Sequence, residues 1–169
     1  KTQDKKLTEH FSLSEFTRSA TATRCGIDNT PDTWQVTNLH NLCCEILEPL
    51  RRQFGPIHIS SGFRNEELNA LVGGVGNSQH MRGEAADIRI PDEKTGREYY
   101  QFIRTHCNFD QLIFEHNRWG ATWLHVSCKN EIALNRHMAF YTPKKESEGS
   151  MQRTTNIVAP SGMLICKSC

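Results

Sequence analysis

Between about Thr30 and Phe54, apolar residues recur at the three- and four-residue spacing of an amphipathic helix. These positions are Val36, Leu39, Leu42, Cys43, Ile46 and Leu50. Pro31 suits the first turn of such a helix, whereas Pro49 lies within the pattern and is expected to kink or divide it. The sequence therefore predicts one long helix with an interruption near its end.

The segment before this helix has a weaker pattern. Ser12 and Glu15 have the spacing of a capping box, which predicts a short helical turn. The remainder, up to Asn29, is rich in Thr and Ala, and we expect it to be an irregular arm on the surface.

Later in the chain, apolar and polar residues alternate in short runs, which is typical of strands. The predicted strands are 57–60, 85–90, 111–115 and 122–128, with a further edge strand at 138–141. Asn65 is expected to cap a short helix to Val72 in which Leu68 and Leu71 face inward. Pro91-Asp92 is expected to start another helix that ends near Thr105.

Strand alternation also assigns polar side chains to faces. Asp87 and Arg89 share one face of their strand. Glu115 shares a face with Gln111 and Ile113, and His125 shares one with Trp123 and Ser127. A hairpin through His116–Ala121 would return Glu115 towards His125.

Length and composition indicate one globular domain. The chain has 169 residues, 37% hydrophobic and 23% charged, which is ordinary for a domain with its own core. The net charge of +1 gives no case for binding nucleic acid, and no apolar run is long enough to span a membrane. We expect a domain over residues 1–141, with its arm at 1–30, and a polar tail at 142–169.

The seven cysteines are an odd number, so at least one has no internal disulfide partner. We interpret Cys25, Cys43, Cys44 and Cys107 mainly as buried small apolar residues. The remaining CxxC pair at 166–169 lacks the second pair that a strong zinc assignment would need.

His80 and Asp87 are the residues that suggest chemistry. Gly83, Ala85 and Ala86 between them would let the backbone turn tightly beside a metal ion. His125 would supply a third ligand, and three protein ligands leave a coordination position open for water, as in catalytic zinc sites. Spacing alone does not separate this hypothesis from a pair of ordinary hydrogen-bonded residues.

Several motifs together resemble one family. The pattern His80-x-x-Gly83-x-Ala85-x-Asp87 matches the signature of the zinc D-Ala-D-Ala carboxypeptidases, whose fold is shared with the hedgehog signalling domain. The position of Ser78, the Ser61-Gly62-Phe63-Arg64 run and the Trp123–Ser127 strand also resemble this family, from about Phe11 to Ser127. The resemblance implies an α+β fold with a small, largely antiparallel sheet flanked by helices. It implies Zn²⁺ held by His80, Asp87 and His125.

The sequence departs from the family pattern at one position. Many members carry an acidic residue three positions before the last ligand, and here that position is Thr122, which cannot act as a base. Glu115 is the nearest carboxylate, and its strand resembles the corresponding strand of hedgehog domains. We therefore expect Glu115 to be the general base, the alternative being a solvated residue at a strand end.

The resemblance also implies how substrate would be held. Arg64 would bind a terminal carboxylate or a developing negative charge, because its planar fork suits such groups; an arginine after a strand is otherwise commonly a surface residue. Ser78 and Trp123 would line the substrate site. Trp123 is most simply core or pocket wall.

The function implied is hydrolysis of peptidoglycan stem peptides by a zinc peptidase, of the D-Ala-D-Ala carboxypeptidase or the L-Ala-D-Glu endopeptidase type. A monomer acting on the cell wall, outside the cytoplasm or after release at phage lysis, would fit. Two alternatives are a hedgehog-like binding module that keeps zinc without hydrolysis, and a structural phage or cell-wall protein.

Overall fold

The computed structural model describes residues 3–142, and they form a mixed α+β fold around one five-stranded sheet. The strands are β1 (His58–Ser61), β2 (Ala85–Arg89), β3 (Gln111–His116), β4 (Thr122–Ser127) and β5 (Met138–Tyr141). Their order across the sheet is β1-β2-β4-β3-β5. Neighbours are antiparallel except β5, which pairs parallel to β3. The predicted fold class, including a largely antiparallel sheet, is confirmed.

Six α-helices accompany this sheet in the described part of the chain. They are α1 (Leu13–Thr17), α2 (Ala20–Cys25), α3 (Thr33–Leu42), α4 (Glu48–Phe54), α5 (Glu66–Leu71) and α6 (Glu93–His106). Short 3₁₀ turns lie at Gln79–Arg82 and Ile132–Leu134. The predicted caps at Asn65 and Asp92 accept backbone N–H groups in the first turns of α5 and α6.

The long predicted helix is divided, as Pro49 indicated. A π-helical stretch, Cys43–Leu47, joins α3 to α4, and Pro49 lies in the first turn of α4. Proline has no N–H to donate to the preceding turn, and a wider π turn accommodates that missing hydrogen bond. Gly55, at φ +82°, ends α4 in a conformation that favours glycine.

The Thr- and Ala-rich segment before Asn29 lies largely at the surface, as predicted, but the prediction that it is irregular was wrong. The capping box at Ser12 and Glu15 is present, but a second helix, α2, follows it. Phe11 and Phe16, just before α2, are buried in the main core, where their rings contribute large apolar surfaces. The arm is therefore a structural part of the domain.

The core lies on one face of the sheet. Ile88, Leu112, Leu124 and Val126 point to this face and are 0% exposed. Helices α3, α4 and α6 and the π-helical stretch supply the facing residues, which include Leu39, Leu42, Ile46, Leu50 and Ile103. Strand alternation then places Asp87, Ile113, Glu115 and His125 on the opposite face, where the helices leave a cleft.

Several smaller expectations need correction or stay open. Leu71 is 56% exposed and does not face inward with Leu68, and Cys25 and Cys44 are exposed rather than buried. No helix within residues 3–142 has the length and apolar character needed to cross a membrane. The predicted tail lies outside the described residues from residue 143 onward, and the domain boundary remains a prediction.

Candidate metal centre

Two of the three predicted ligands meet through strand pairing. Asp87 on β2 lies directly opposite His125 on β4, and both point to the cleft face. The Nδ1 atom of His125 lies 3.1 Å from the Oδ1 atom of Asp87. The two side chains are 13% and 16% exposed, so the pair is shielded but open to the cleft.

His80 reaches the same place from the 3₁₀ turn after α5. The Oγ atom of Ser78 accepts a hydrogen bond from the His80 backbone N–H and caps this turn. Gly83 ends it at φ +73°, where an added Cβ would clash with the Gln35 carbonyl oxygen. The His80 Nε2 atom then lies 3.4 Å from the Oδ1 atom of Asp87.

The imidazole of His80 is held in a defined orientation. Its Nδ1–H donates to the Gly62 carbonyl oxygen at 2.7 Å, and the residue is 2% exposed. A carbonyl oxygen can only accept, so Nδ1 carries a proton and Nε2 is the ring atom directed at Asp87. Such a second hydrogen bond is what fixes the tautomer of a metal-binding histidine.

These three residues fit a zinc ion by the chemistry of their donor atoms. One ligand atom from each of His80, Asp87 and His125 lies within 4.8 Å of the others, and within residues 3–142 no other group of three such residues meets this condition. Burial alone would raise the pKa of Asp87, but hydrogen bonds with His125 and His80 hold that pKa well below its usual range. The carboxylate is therefore ionised, as a metal ligand must be.

The cluster lies in a cleft of about 630 Å³ that the other predicted site residues also line. Arg64, Ser78, Glu115 and Trp123 all border it. The structure thus brings every sequence-predicted site residue to one cavity, although their separate roles remain proposals.

Glu115 lies diagonally across from His125. Strand pairing puts Ile113 opposite His125 and Glu115 opposite Trp123. Glu115 is therefore two residues further along the strand than the position opposite His125, and it lies on the same face of the sheet. Burial raises the pKa of Glu115, and Asp87 raises it further, while His125 and hydrogen bonding with Trp123 act in the opposite direction. A carboxylate with a raised pKa accepts a proton more readily than an ordinary glutamate.

Arg64 is anchored by its backbone but free in its side chain. Its N–H donates to the His80 carbonyl oxygen at 3.2 Å. Its Nε atom is buried and has no hydrogen-bond partner among the described residues. Burial lowers the pKa of this guanidinium, whereas Asp87 and Glu115 raise it. A buried, unused donor beside a metal centre is suited to a ligand that is not part of the protein.

Sequence reasoning missed two parts of this cleft. The Gly62 carbonyl that orients His80 lies in the recognised Ser61–Arg64 run, but only Arg64 was singled out there. Lys129 and Arg136 line the other end of the cleft, where both interact with the fully buried Asp110, at 3.8 and 2.7 Å. Nothing in the local pattern signals these cations, because Asp110 and Arg136 are 26 positions apart.

Comparison with known proteins agrees with this geometry. A family model described as Peptidase M15 matches residues 9–127, which include all three candidate ligands, Arg64 and Glu115. A curated relative, "Zinc D-Ala-D-Ala carboxypeptidase" from Streptomyces albus G, is 46% identical over 44 residues. That match covers 25% of this chain and 17% of the relative. The family match extends over well more than half of the sequence, and the chain belongs to the peptidase M15 family.

Proposed function

We propose that this protein is a zinc-dependent peptidase that hydrolyses peptidoglycan stem peptides, at the D-Ala-D-Ala bond or at the L-Ala-D-Glu bond. One observation carries the proposal. Three ligand atoms converge in an open cleft, and that same cleft is lined by a carboxylate and by a guanidinium whose Nε atom has no partner within residues 3–142. The name of the curated relative supports the substrate class.

His80, Asp87 and His125 would hold the zinc ion, with His80 kept in place by Gly62. When bound there, zinc supplies a Lewis acid that polarises a carbonyl group and makes water more acidic. Two imidazoles and one carboxylate leave room for a further ligand in a four-coordinate site.

Glu115 acts as the general base and then as the general acid. Its carboxylate takes a proton from the attacking water and passes it to the nitrogen of the leaving amine. The raised pKa suits both steps because the proton is held neither too weakly nor too strongly.

Arg64 stabilises negative charge on the substrate. Its Nε–H and terminal N–H groups can form two parallel hydrogen bonds with a carboxylate or a developing oxyanion. Trp123 and Ser78 line the walls of the cleft, and Ser78 also holds the turn that carries His80. Ser78 thus acts through His80 as a positioning residue.

The test is hydrolysis of two synthetic stem peptides. The first contains the D-Ala-D-Ala bond. The second lacks the terminal D-Ala-D-Ala and contains the L-Ala-D-Glu bond. We expect release from one of the two, loss of activity after treatment with a chelator, and recovery when zinc is restored. The Glu115→Gln variant, loaded with zinc, serves as the inactive control. A zinc-loaded protein that cleaves neither peptide would instead support a binding module that keeps the metal without hydrolysis.

A further inference from the structure

A second cleft, of about 430 Å³, borders the metal-containing cleft. Arg64 and Val72 line both cavities, so the two share a wall. The second cleft continues from this wall to the segment of α1 and α2, where Arg18 and Ser19 border it. A peptide bound at the metal would therefore meet this cavity next.

Strand register shows that the second cleft lies on the catalytic face of the sheet. Arg89 lies opposite Trp123 on one side and opposite His58 on the other, and Trp123 in turn lies opposite Glu115. Directly opposed residues share a face, so these four side chains form one row across the sheet. The row that contains Asp87 and His125 lies two residues further along the strands, on the same face.

The charges in this cleft are unbalanced. Its charged residues are Arg18, Arg64 and Arg89 against the single carboxylate of Glu15. Glu15 already accepts a hydrogen bond from the Ser12 backbone N–H at 2.7 Å. Within residues 3–142, none of these arginines has an ion pair within 4.0 Å, and the Nε atom of Arg64 is buried without a partner.

The cations at the other end of the metal-containing cleft are different. Arg136 makes two side-chain hydrogen bonds to Asp110, at 3.0 and 2.7 Å, and Lys129 also faces that carboxylate. One of these two charges is thus balanced within the protein, and Arg136 has its side-chain donors directed at Asp110. The second cleft is therefore where an external anion would be bound most favourably.

We propose that the second cleft is a substrate subsite that binds a carboxylate of the peptide that is not part of the scissile bond, through Arg89 and Arg18. This inference rests on the proposed function, since a stem peptide is the substrate that carries such a group on its D-Glu residue. Arginine suits this role because its planar fork can bind both carboxylate oxygens. The subsite would position the peptide so that its scissile bond lies at the metal centre.

The experiment compares two stem peptides that differ only in the D-Glu carboxylate, which is free in one and a carboxamide in the other. Binding is measured by isothermal titration calorimetry with the zinc-loaded Glu115→Gln variant, with mass spectrometry to show that the peptide remains intact. Arg89→Gln and Arg18→Gln are each added to this background. Arg104→Gln is the matched control, because Arg104 is exposed on α6, which packs against the opposite face of the sheet.

We expect the free carboxylate to improve binding about tenfold, and Arg89→Gln to abolish most of that preference. Arg18→Gln should reduce it less, and Arg104→Gln should leave it unchanged. Salt should weaken the binding of the carboxylate peptide more than that of the carboxamide.

Equal binding of the two peptides, or equal effects of Arg89→Gln and Arg104→Gln, would overturn the subsite. If the wild-type protein hydrolyses neither peptide but prefers the carboxylate form through Arg89, the peptidase function fails and the subsite stands. Efficient hydrolysis of both peptides at the same kcat/KM would support the peptidase function and overturn the subsite.

Discussion

Two clusters of histidine and carboxylate in residues 3–142 have contacts of 2.8 to 3.4 Å in different surroundings. Near the N-terminus, the Nδ1 atom of His10 lies 2.8 Å from the Glu48 carboxylate. In the cleft, His125 and His80 lie 3.1 and 3.4 Å from the Asp87 carboxylate. Contact distance therefore does not distinguish a structural pair from a candidate metal centre.

The two clusters differ in how the lone pairs of the carboxylate oxygens and imidazole nitrogens are used. Glu48 is 3% exposed, and its two oxygens accept hydrogen bonds from the backbone N–H and the ring of the same residue, His10. Asp87 faces two imidazoles, one of which is turned towards it by the Gly62 carbonyl, beside an open cleft. The first arrangement fastens the N-terminal segment to α4. In the cluster around Asp87, by contrast, the donor atoms converge at a place that an ion can reach from the cleft.

The largest expected effect comes from removing one imidazole from each pair. His80→Ala should lose most of the roughly one zinc ion per chain and reduce peptidase activity at least a hundredfold, because two ligands bind zinc much more weakly than three. His10→Ala should keep both zinc and activity. Elemental analysis after extensive dialysis, with circular dichroism as a check on folding, measures the difference. The same zinc content in both variants would refute the ligand assignment.

Neutralising a carboxylate in each region gives the next contrast. Glu115→Gln should retain zinc while turnover falls roughly a hundredfold, since the amide cannot accept the proton from water. Glu48→Gln should leave turnover unchanged. Steady-state kinetics on the cleaved stem peptide would check both. A Glu115→Gln protein without zinc would mean that Glu115 supports the metal, and full activity would place the base elsewhere.

A substitution at Arg64 tests whether the cleft needs a planar donor. Arg64→Lys should keep the fold and the zinc but lower kcat/KM about tenfold or more, because an ammonium group cannot form two parallel hydrogen bonds. Arg104→Lys, on the other face of the sheet, is the control. Turnover near that of the wild type in Arg64→Lys would assign Arg64 a structural role.

The smallest expected effect is a change in the free energy of unfolding when Glu48 is substituted, with no change in activity. Burial would raise the pKa of Glu48, but hydrogen bonds from the His10 ring and backbone lower it from 4.5 to about 2. A depressed pKa means that Glu48 stabilises the fold above about pH 4.5 and that this contribution is lost as the pH falls towards 2. Glu48→Gln should cost about 1–3 kcal/mol of the free energy of unfolding at pH 7.

Urea denaturation at pH 7 and pH 3 would measure this effect. The difference between the wild type and Glu48→Gln should be larger at pH 7 than at pH 3. At pH 3 the unfolded chain has already bound a proton at Glu48 while the folded protein has not, so part of the stabilisation by the charge is lost. A difference that is independent of pH would show that the charge of Glu48 contributes nothing to the folded state.

Local pattern was sufficient for most elements, whereas the candidate ligands followed from the resemblance of several motifs to one family. The apolar periodicity placed the division near Pro49, and strand alternation put Glu115 and His125 on cleft-facing positions, because both follow from backbone geometry within a few residues. The arm was misjudged because its Thr- and Ala-rich segment is a weak helical signal. The burial of Phe11 and Phe16 depends on surfaces supplied by distant parts of the chain.

By itself, the sequence determined the family motif, the three candidate ligands and the strands that carry Asp87 and His125. Only the tertiary structure decided that the Gly62 carbonyl orients His80, that Asp110 neutralises Arg136, and that Arg18 and Arg89 border one cleft with Arg64. The physical reason is the separation along the sequence over which each kind of interaction acts. Helix and strand signals arise between neighbouring residues, whereas hydrogen bonds and charge balance in a cleft join residues that are tens of positions apart.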